Sequence, residues 1–250
     1  MKLNLLNKKY LITGASSGLG RELSYSLDTD GASLTILGKN SLELSKTFSK
    51  LRKKKGHKKI VANFSNLNNS NKIVTKIFKN IKYDGYINCA GLHTFSSINN
   101  IKDKDIIDSY KINSIYPYIL TKNFSKSENY NKNSSIILLG TISSITGSSF
   151  LSLYSSSKAS QINLSKSLAM ELAKKKIRIN TISASMINSK IYNKIKMSLP
   201  KQFLSEIDKK HPLGIGNYSD IINAIKFLLS SKSKWITGTN LIIDGGYSSS

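Results

Sequence analysis

The sequence predicts an α/β fold, a doubly wound parallel sheet with helices on both faces. Three observations point there. Short apolar runs of strand length alternate with amphipathic helical patterns, which sets the strands parallel with helices between them. The first run leads straight into a glycine-rich turn and then a helix. And 250 residues with no internal repeat or linker fit one domain, residues 1–250, with a large core.

Taken in order, Lys8 to Thr13 reads as the first strand, with Tyr10, Leu11 and Ile12 apolar. Gly14-Ala15-Ser16-Ser17-Gly18-Leu19-Gly20 follows, and a helix continues to about Leu27. Strand, glycine turn and helix together cradle a pyrophosphate, because backbone N–H groups and the helix N-terminus point at the anion. The spacing differs from G-x-G-x-x-G, so a plain turn is the competing reading. Leu34 to Leu37 is the second strand and ends at Gly38-Lys39-Asn40. At this tip an acid would bond the ribose 2′-hydroxyl, whereas a cation would accept a 2′-phosphate. Lys39 therefore favours NADP(H) over NAD(H).

Ser41 to Lys55 is an amphipathic helix and Lys59 to Asn63 the third strand. Leu67 to Ile81 is a helix with the stripe Ile73, Ile77 and Phe78, and Asp84 to Ala90 is the fourth strand, closing on Asn88-Cys89-Ala90-Gly91. His93 has no partner at metal or triad spacing and reads as a plain loop residue; no metal site is expected. Ile101 to Phe124 is helical in pattern but contains Asn113, whose side chain competes for backbone groups inside a helix. It marks either a functional irregularity or a solvent-facing position.

The chain is organised around Ser134 to Ala173. Ile136 to Leu139 is a strand buried on both faces, ending at Gly140-Thr141. A Gly/Ser loop follows. Tyr154-Ser155-Ser156-Ser157-Lys158 then opens a long helix whose apolar pattern runs through Ala159, Ile162, Leu168, Ala169 and Leu172. Tyr154 and Lys158, four apart, share a face. A free Tyr hydroxyl has a pKa of about 10, and a nearby ammonium favours the phenolate and lowers that value, so the pair reads as a tuned acid/base. Ile177 to Ile182 is the sixth strand, Ile221 to Ser230 a helix, and Thr239 to Ile243 the last strand. Ser189 to His211, within a segment spanning 189–213, is long for a connection and reads as a substrate lid.

Composition bounds the rest. With 39% hydrophobic and 21% charged residues and no apolar run near the roughly 18 residues of a membrane span, a globular, non-membrane protein is expected. Met1 to Asn7 is short and polar for a signal peptide. The single Cys89 suits a reducing cytoplasm. The net charge of +24 raises nucleic acid as a partner. Against it, only Arg21, Arg52 and Arg178 among 38 basic residues are Arg, the type that base-edge and bidentate phosphate recognition favours. The 35 Lys are also dispersed, so no specific nucleic acid is expected.

Together these residues resemble the short-chain dehydrogenase/reductase family, over nearly the whole chain. The matching motifs are Thr13-Gly14-x-x-x-Gly18-x-Gly20, Asn88-Cys89-Ala90-Gly91, Asn113, Tyr154-x-x-x-Lys158, Arg178-x-Asn180, Ile236-Thr237-Gly238 and Asp244-Gly245-Gly246. The resemblance implies a Rossmann-type sheet of seven strands in the order 3-2-1-4-5-6-7, a homotetramer or homodimer, and reduction of a carbonyl by NAD(P)H, or the reverse. It makes Tyr154 the acid/base. Lys158 becomes its activator and a ligand of the nicotinamide ribose, and Asn113 the kink that holds a relay water. The cofactor would be held by Gly14, Ser16, Ser17, Gly18, Leu19, Gly20, Lys39, Asn63, Phe64, Asn88, Ala90, Gly91, Tyr154, Lys158, Ile187 and Ser189.

Four positions depart from the family. The usual Ser ahead of the Tyr falls on Thr141 by ungapped spacing, or on Ser144 with a shorter loop; Thr141 is preferred because its hydroxyl sits at the strand end. Ala184-Ser185 replaces Pro-Gly, Asn63 replaces an Asp, and Ile215 stands where Arg is common. The C-terminal pattern is most similar to 3-oxoacyl-[acyl-carrier-protein] reductases, with Lys132 and Lys175 where those enzymes place basic residues for the acidic carrier. A sugar or other small ketone is the alternative substrate, and a catalytically silent NADP(H) sensor the alternative from another class.

Overall fold

The computed structural model describes residues 3–52, 56–65, 70–189, 192–193, 196–197, 205–207 and 209–249. The chain begins with β1 (Lys9–Thr13), α1 (Gly18–Thr29), β2 (Ser33–Gly38), α2 (Ser41–Ser49), β3 (Lys58–Val61), α3 (Ser70–Phe78) and β4 (Tyr83–Asn88). Next come α4 (Asp103–Tyr110), a π-helical turn (Lys111–Ile115), α5 (Tyr116–Phe124), β5 (Tyr130–Thr141), α6 (Ser143–Thr146) and α7 (Ser152–Leu172). The described part closes with β6 (Arg178–Ala184), α8 (Tyr218–Leu229) and β7 (Asn240–Ile243). The strands form one parallel sheet in the order β3-β2-β1-β4-β5-β6-β7, as the resemblance implies.

The strands read as unbroken apolar runs because both faces are covered. Side chains alternate across the pleat. Tyr10 and Ile12 join Leu23, Leu27, Leu44, Ile221 and Ile225 on one face; Leu11 joins Tyr116, Leu120, Phe124 and Leu172 on the other. Reversal of strand order beside β1 leaves a crevice at the carboxyl ends of the strands, where such folds bind ligands. Helix α2 ends at Ser49, ahead of the expected Lys55, and residues 53–55 lie outside the described part. So do 66–69 ahead of α3 and most of the expected lid.

Helix α7 departs from its expected pattern. Its buried stripe is Leu153, Ser157, Lys158, Gln161, Ser165, Ala169 and Leu172, whereas Ile162 and Leu168 are only half-buried. The inner face is polar because it hydrogen-bonds to the π turn and to β6: Ser114 Oγ donates to the Ser157 carbonyl at 2.8 Å, and Thr181 Oγ1 to the Gln161 carbonyl at 3.0 Å. Arg178 and Asn180 prove structural. Arg178 Nη2 donates to the Leu228 carbonyl at 2.7 Å and Asn180 Nδ2 to that of Ile236 at 3.0 Å, tying β6 to the end of α8 and to the segment ahead of β7.

Candidate active site

The β1–α1 turn forms one end of a cleft of about 930 Å³. Gly14 has φ +70°, and a Cβ there would lie 2.7 Å from Ala90 N; one on Gly20 would lie 2.5 Å from the Gly14 carbonyl oxygen. Close packing therefore demands both glycines. Ser17 precedes α1 without a side-chain capping bond, and the first turn holds no acidic residue. The N–H groups and positive dipole end of α1 are thus available to an anion. Ser17, Gly18 and Leu19 line the cleft. Ser16 packs beneath, against Gly38 at the tip of β2.

The other end holds Gly91, Thr141, Tyr154, Lys158, Ile187 and Ser189 on its wall. Lys158 is 3% exposed and donates from Nζ to the Leu139 carbonyl at 2.7 Å. A Cβ on Gly91 would stand 3.1 Å from that Nζ, so the loop after β4 seats the lysine. Burial pulls the Lys158 ammonium down to about 8, opposed by the charge of the nearby Cys89 thiolate form. Tyr154 corrects an expectation: burial pushes its hydroxyl up to about 12. Burial is the cause of that rise, so Tyr154 holds its proton at neutral pH.

Asn113 lies in the π turn and is 0% exposed, so the solvent-facing reading fails. Its Oδ1 accepts from Leu92 N at 2.8 Å, and its Nδ2 donates to the Leu92 carbonyl at 2.9 Å and to Ser157 Oγ at 2.9 Å. The amide thereby pins the Gly91 loop to α7. A π turn breaks the helical ladder, and the Asn113 carbonyl accepts instead from Gln161 Nε2 at 2.7 Å.

The competing hydroxyls separate. Thr141 is on the cleft wall and lies 3.2 Å from Ser143 Oγ, which accepts from Ser155 Oγ at 2.8 Å. Ser144 is off the wall and donates to the Ser155 carbonyl at 3.0 Å; its hydroxyl serves the loop. Ser143, unremarked in the sequence, faces the cleft because the short α6 turns it there.

Other expected residues are off the cleft wall, and of these Asn88 and Ala90 support the site from behind. Asn88 Oδ1 accepts from Thr13 Oγ1 at 2.8 Å, and Ala90 N donates to that same Oγ1 at 3.1 Å. Phe64 packs on Tyr116 at 4.5 Å. Asn63 is exposed, with Oδ1 accepting from Ser65 N, and Lys39 is exposed past the β2 tip. Lys132 is the third residue of β5 and Lys175 follows α7. Both lie at the amino-terminal edge of the sheet, the edge opposite the cleft, and Lys175 Nζ donates to the Ser125 carbonyl.

Several wall residues were missed. His93, expected as a plain loop residue, packs 4.7 Å from the Tyr154 ring, and burial lowers its pKa. Its position just after the Asn88–Gly91 motif was the available signal. Arg21 and Glu43 line the cleft near α1. Arg21 donates to Glu43 Oε2 at 2.7 Å and to the Ser16 carbonyl, and hydrogen bonds from Lys46 and Arg21 hold the Glu43 carboxyl down at about 2. Ser185, His211 and Tyr218 also face the cleft.

The arrangement suits a nicotinamide dinucleotide. An anion cradle at one end and a proton-holding phenol beside an ammonium at the other share a single cleft, within the roughly 300–1,000 Å³ of ordinary ligand sites. Among the described residues no cluster of His, Cys, Asp or Glu could hold a metal ion, and no helix is long and apolar enough to cross a membrane.

Residues 14–248 match the family described as Enoyl-(Acyl carrier protein) reductase. The chain is 29% identical over 246 residues to an uncharacterized oxidoreductase, YmfI, of Bacillus subtilis, covering 97% of this chain and 99% of that one. It is 30% identical over 245 residues to the 3-oxoacyl-[acyl-carrier-protein] reductase FabG of Rickettsia bellii, covering 98% of each. Among solved structures, a 4-hydroxyisoleucine dehydrogenase complexed with NADH superimposes with a TM-score of 0.89 at 26% identity, over 98% of this chain and 100% of that one.

Proposed function

We propose a reaction for this chain, which belongs to the short-chain dehydrogenase/reductase family and is an NAD(P)-dependent enzyme: reduction of a ketone to a secondary alcohol, or its reverse, with Tyr154 as acid/base. The observation that carries it is that Tyr154 and Lys158, one helical turn apart, face the same cleft as the open N-terminus of α1. Bound NAD(P)H supplies hydride. The chain supplies placement and the proton. Tyr154, held up at about 12, is protonated at neutral pH and gives its proton to the carbonyl oxygen. Thr141, steadied by Ser143, hydrogen-bonds that oxygen. Lys158 holds the nicotinamide ribose, and Asn113 fixes the loop and helix on which both sit.

The amides from Ser16 to Gly20 would hold the pyrophosphate, with Gly14 giving the approach. Asn63 and Phe64 would flank the adenine, with Asn88, Ala90 and Gly91 behind, and Ile187 and Ser189 would meet the carboxamide. Lys39 would take the 2′-phosphate of NADP(H). The nearby Arg21 is engaged by Glu43, Thr47 and Ser16, so the exposed Lys39 is the better placed cation.

A 3-oxoacyl thioester on an acyl carrier protein is the leading substrate, supported by the FabG-type relative and by a net charge of +24, which steers acidic partners. A small polar ketone is the second reading, favoured by the hydroxyls of Ser143, Ser148 and Ser185 on the wall. A second copy of the chain would cover the groove between α5 and α7, where exposed Ile115 and Tyr118 stand beside the small Ser160 and Ser167. This gives a homodimer or, with a further interface, a homotetramer working in the cytoplasm.

Oxidation of NADPH and NADH with acetoacetyl thioesters and small ketones tests this reading. We expect turnover with a member of the panel and tighter binding of NADPH. Lys39→Ala should weaken NADPH about tenfold, near 1.4 kcal/mol and on the scale of a charge-assisted hydrogen bond, and leave NADH unchanged. A preference for NADH contradicts the cofactor assignment.

A further inference from the structure

The wall beyond β6 carries a pair, Ser185 and His211, to which the proposed hydride and proton transfer gives no role. Ala184, the last residue of β6, is in register with Thr141 on β5 and Ile243 on β7. Ser185 follows it, one strand over from the hydroxyl assigned to the carbonyl. Its Oγ lies 2.7 Å from His211 Nε2, and His211 Nδ1 lies 2.7 Å from the Ile207 carbonyl oxygen. A carbonyl oxygen only accepts, so Nδ1 carries the hydrogen. In the neutral ring Nε2 is then the acceptor, and the Ser185 hydroxyl donates to it.

His211 is 3% exposed. Its ring packs 5.0 Å from that of Tyr247, and the Pro212 that follows it sits against Gly246, where a Cβ would lie 3.2 Å from the proline ring. The imidazole is therefore held from several sides, and both members of the pair face the cleft shared with Tyr154. When the ring is neutral, the Ser185 hydroxyl commits its one hydrogen to His211 and has only acceptor capacity left to offer.

We infer that His211 is a positioning residue that orients Ser185, whose oxygen accepts a hydrogen bond from an N–H or O–H group of the ligand at this end of the cleft. Two sources fit that chemistry, the amide of a bound nicotinamide and a hydroxyl or amine on the substrate. The inference rests on the cleft being an NAD(P)(H) site; wild-type NADPH binding, measured first, tests that reading separately.

The test compares competition against bound NADPH, followed by its fluorescence, by NADP⁺ and by its 3-acetylpyridine analogue, in which a methyl group replaces the amide nitrogen. Wild type should prefer NADP⁺ by roughly three- to tenfold, the scale of one hydrogen bond. Ser185→Ala and His211→Phe should each reduce that ratio to within about twofold. If the donor belongs to the substrate, the cofactor ratio holds. In that case the KM ratio between a hydroxyl-bearing ketone and its deoxy counterpart collapses in both variants instead. His211→Gln replaces His211→Phe if the latter fails to fold. The inference is overturned if neither ratio moves in either variant, or if only Ser185→Ala moves one, since His211 would then position nothing.

Discussion

A lysine placed where water is scarce has measurable consequences. Lys158 sits in the wall with its ammonium on one carbonyl and is held near 8 in the folded chain, against an ordinary value of 10.5. Between those values the unfolded chain binds more protons, so the sign is positive: stability rises with pH across that window. Each unit is worth about 1.4 kcal/mol, so the full contribution is roughly 3 kcal/mol, absent above 10.5 and unfavourable in full below 8. Urea unfolding at pH 7 and pH 9.5 should show the wild type gaining about 2 kcal/mol relative to Lys158→Met. Parallel curves for the two proteins would refute the assignment. Tyr154 acts in the opposite sense and above that range, because a raised phenol loses its contribution only as pH passes from 10 to 12.

The element that organises the site is the π turn between α4 and α5. Five hydrogen bonds at Asn113, four through the side chain and one through the carbonyl, bind it to Leu92, Ser109, Ser157 and Gln161. Asn113→Ala removes the side-chain bonds and leaves Leu92 N–H and C=O without these partners. With about 1–3 kcal/mol for each buried group left unpaired, a loss of roughly 2–4 kcal/mol should appear as a lower urea midpoint. An unchanged midpoint would mean the turn does not depend on the amide. This irregularity was legible from one polar residue in an otherwise helical pattern. The strands were legible for a similar reason, since burial on both faces leaves an unbroken apolar run such as Ile136 to Leu139. The inner face of α7 was not. Beside the expected Ala169 and Leu172, its buried residues include Ser157, Lys158, Gln161 and Ser165, which a hydrophobic period cannot flag. The acidity of Tyr154 escaped for a related reason: spacing shows a neighbour but not how far both groups are desolvated. Ser185 and His211 are 26 residues apart, and only the fold joins them.

For the whole molecule, the proposed assembly puts its interface on the α5–α7 face. Tyr118 is 52% exposed there, beside Ile115 and Leu168. Tyr118→Asp places a charge where two copies would meet, and sedimentation should show a smaller species than wild type with secondary structure unchanged. Identical sedimentation would move the interface elsewhere. The account as a whole stands on Tyr154 as the proton donor in a cofactor cleft. Its most direct test is Tyr154→Phe, assayed with NADPH and whichever ketone wild type reduces. Turnover should fall by about 10²–10⁴-fold while the Kd for NADPH stays within about twofold. Turnover within tenfold of wild type, at unchanged NADPH affinity, would contradict it.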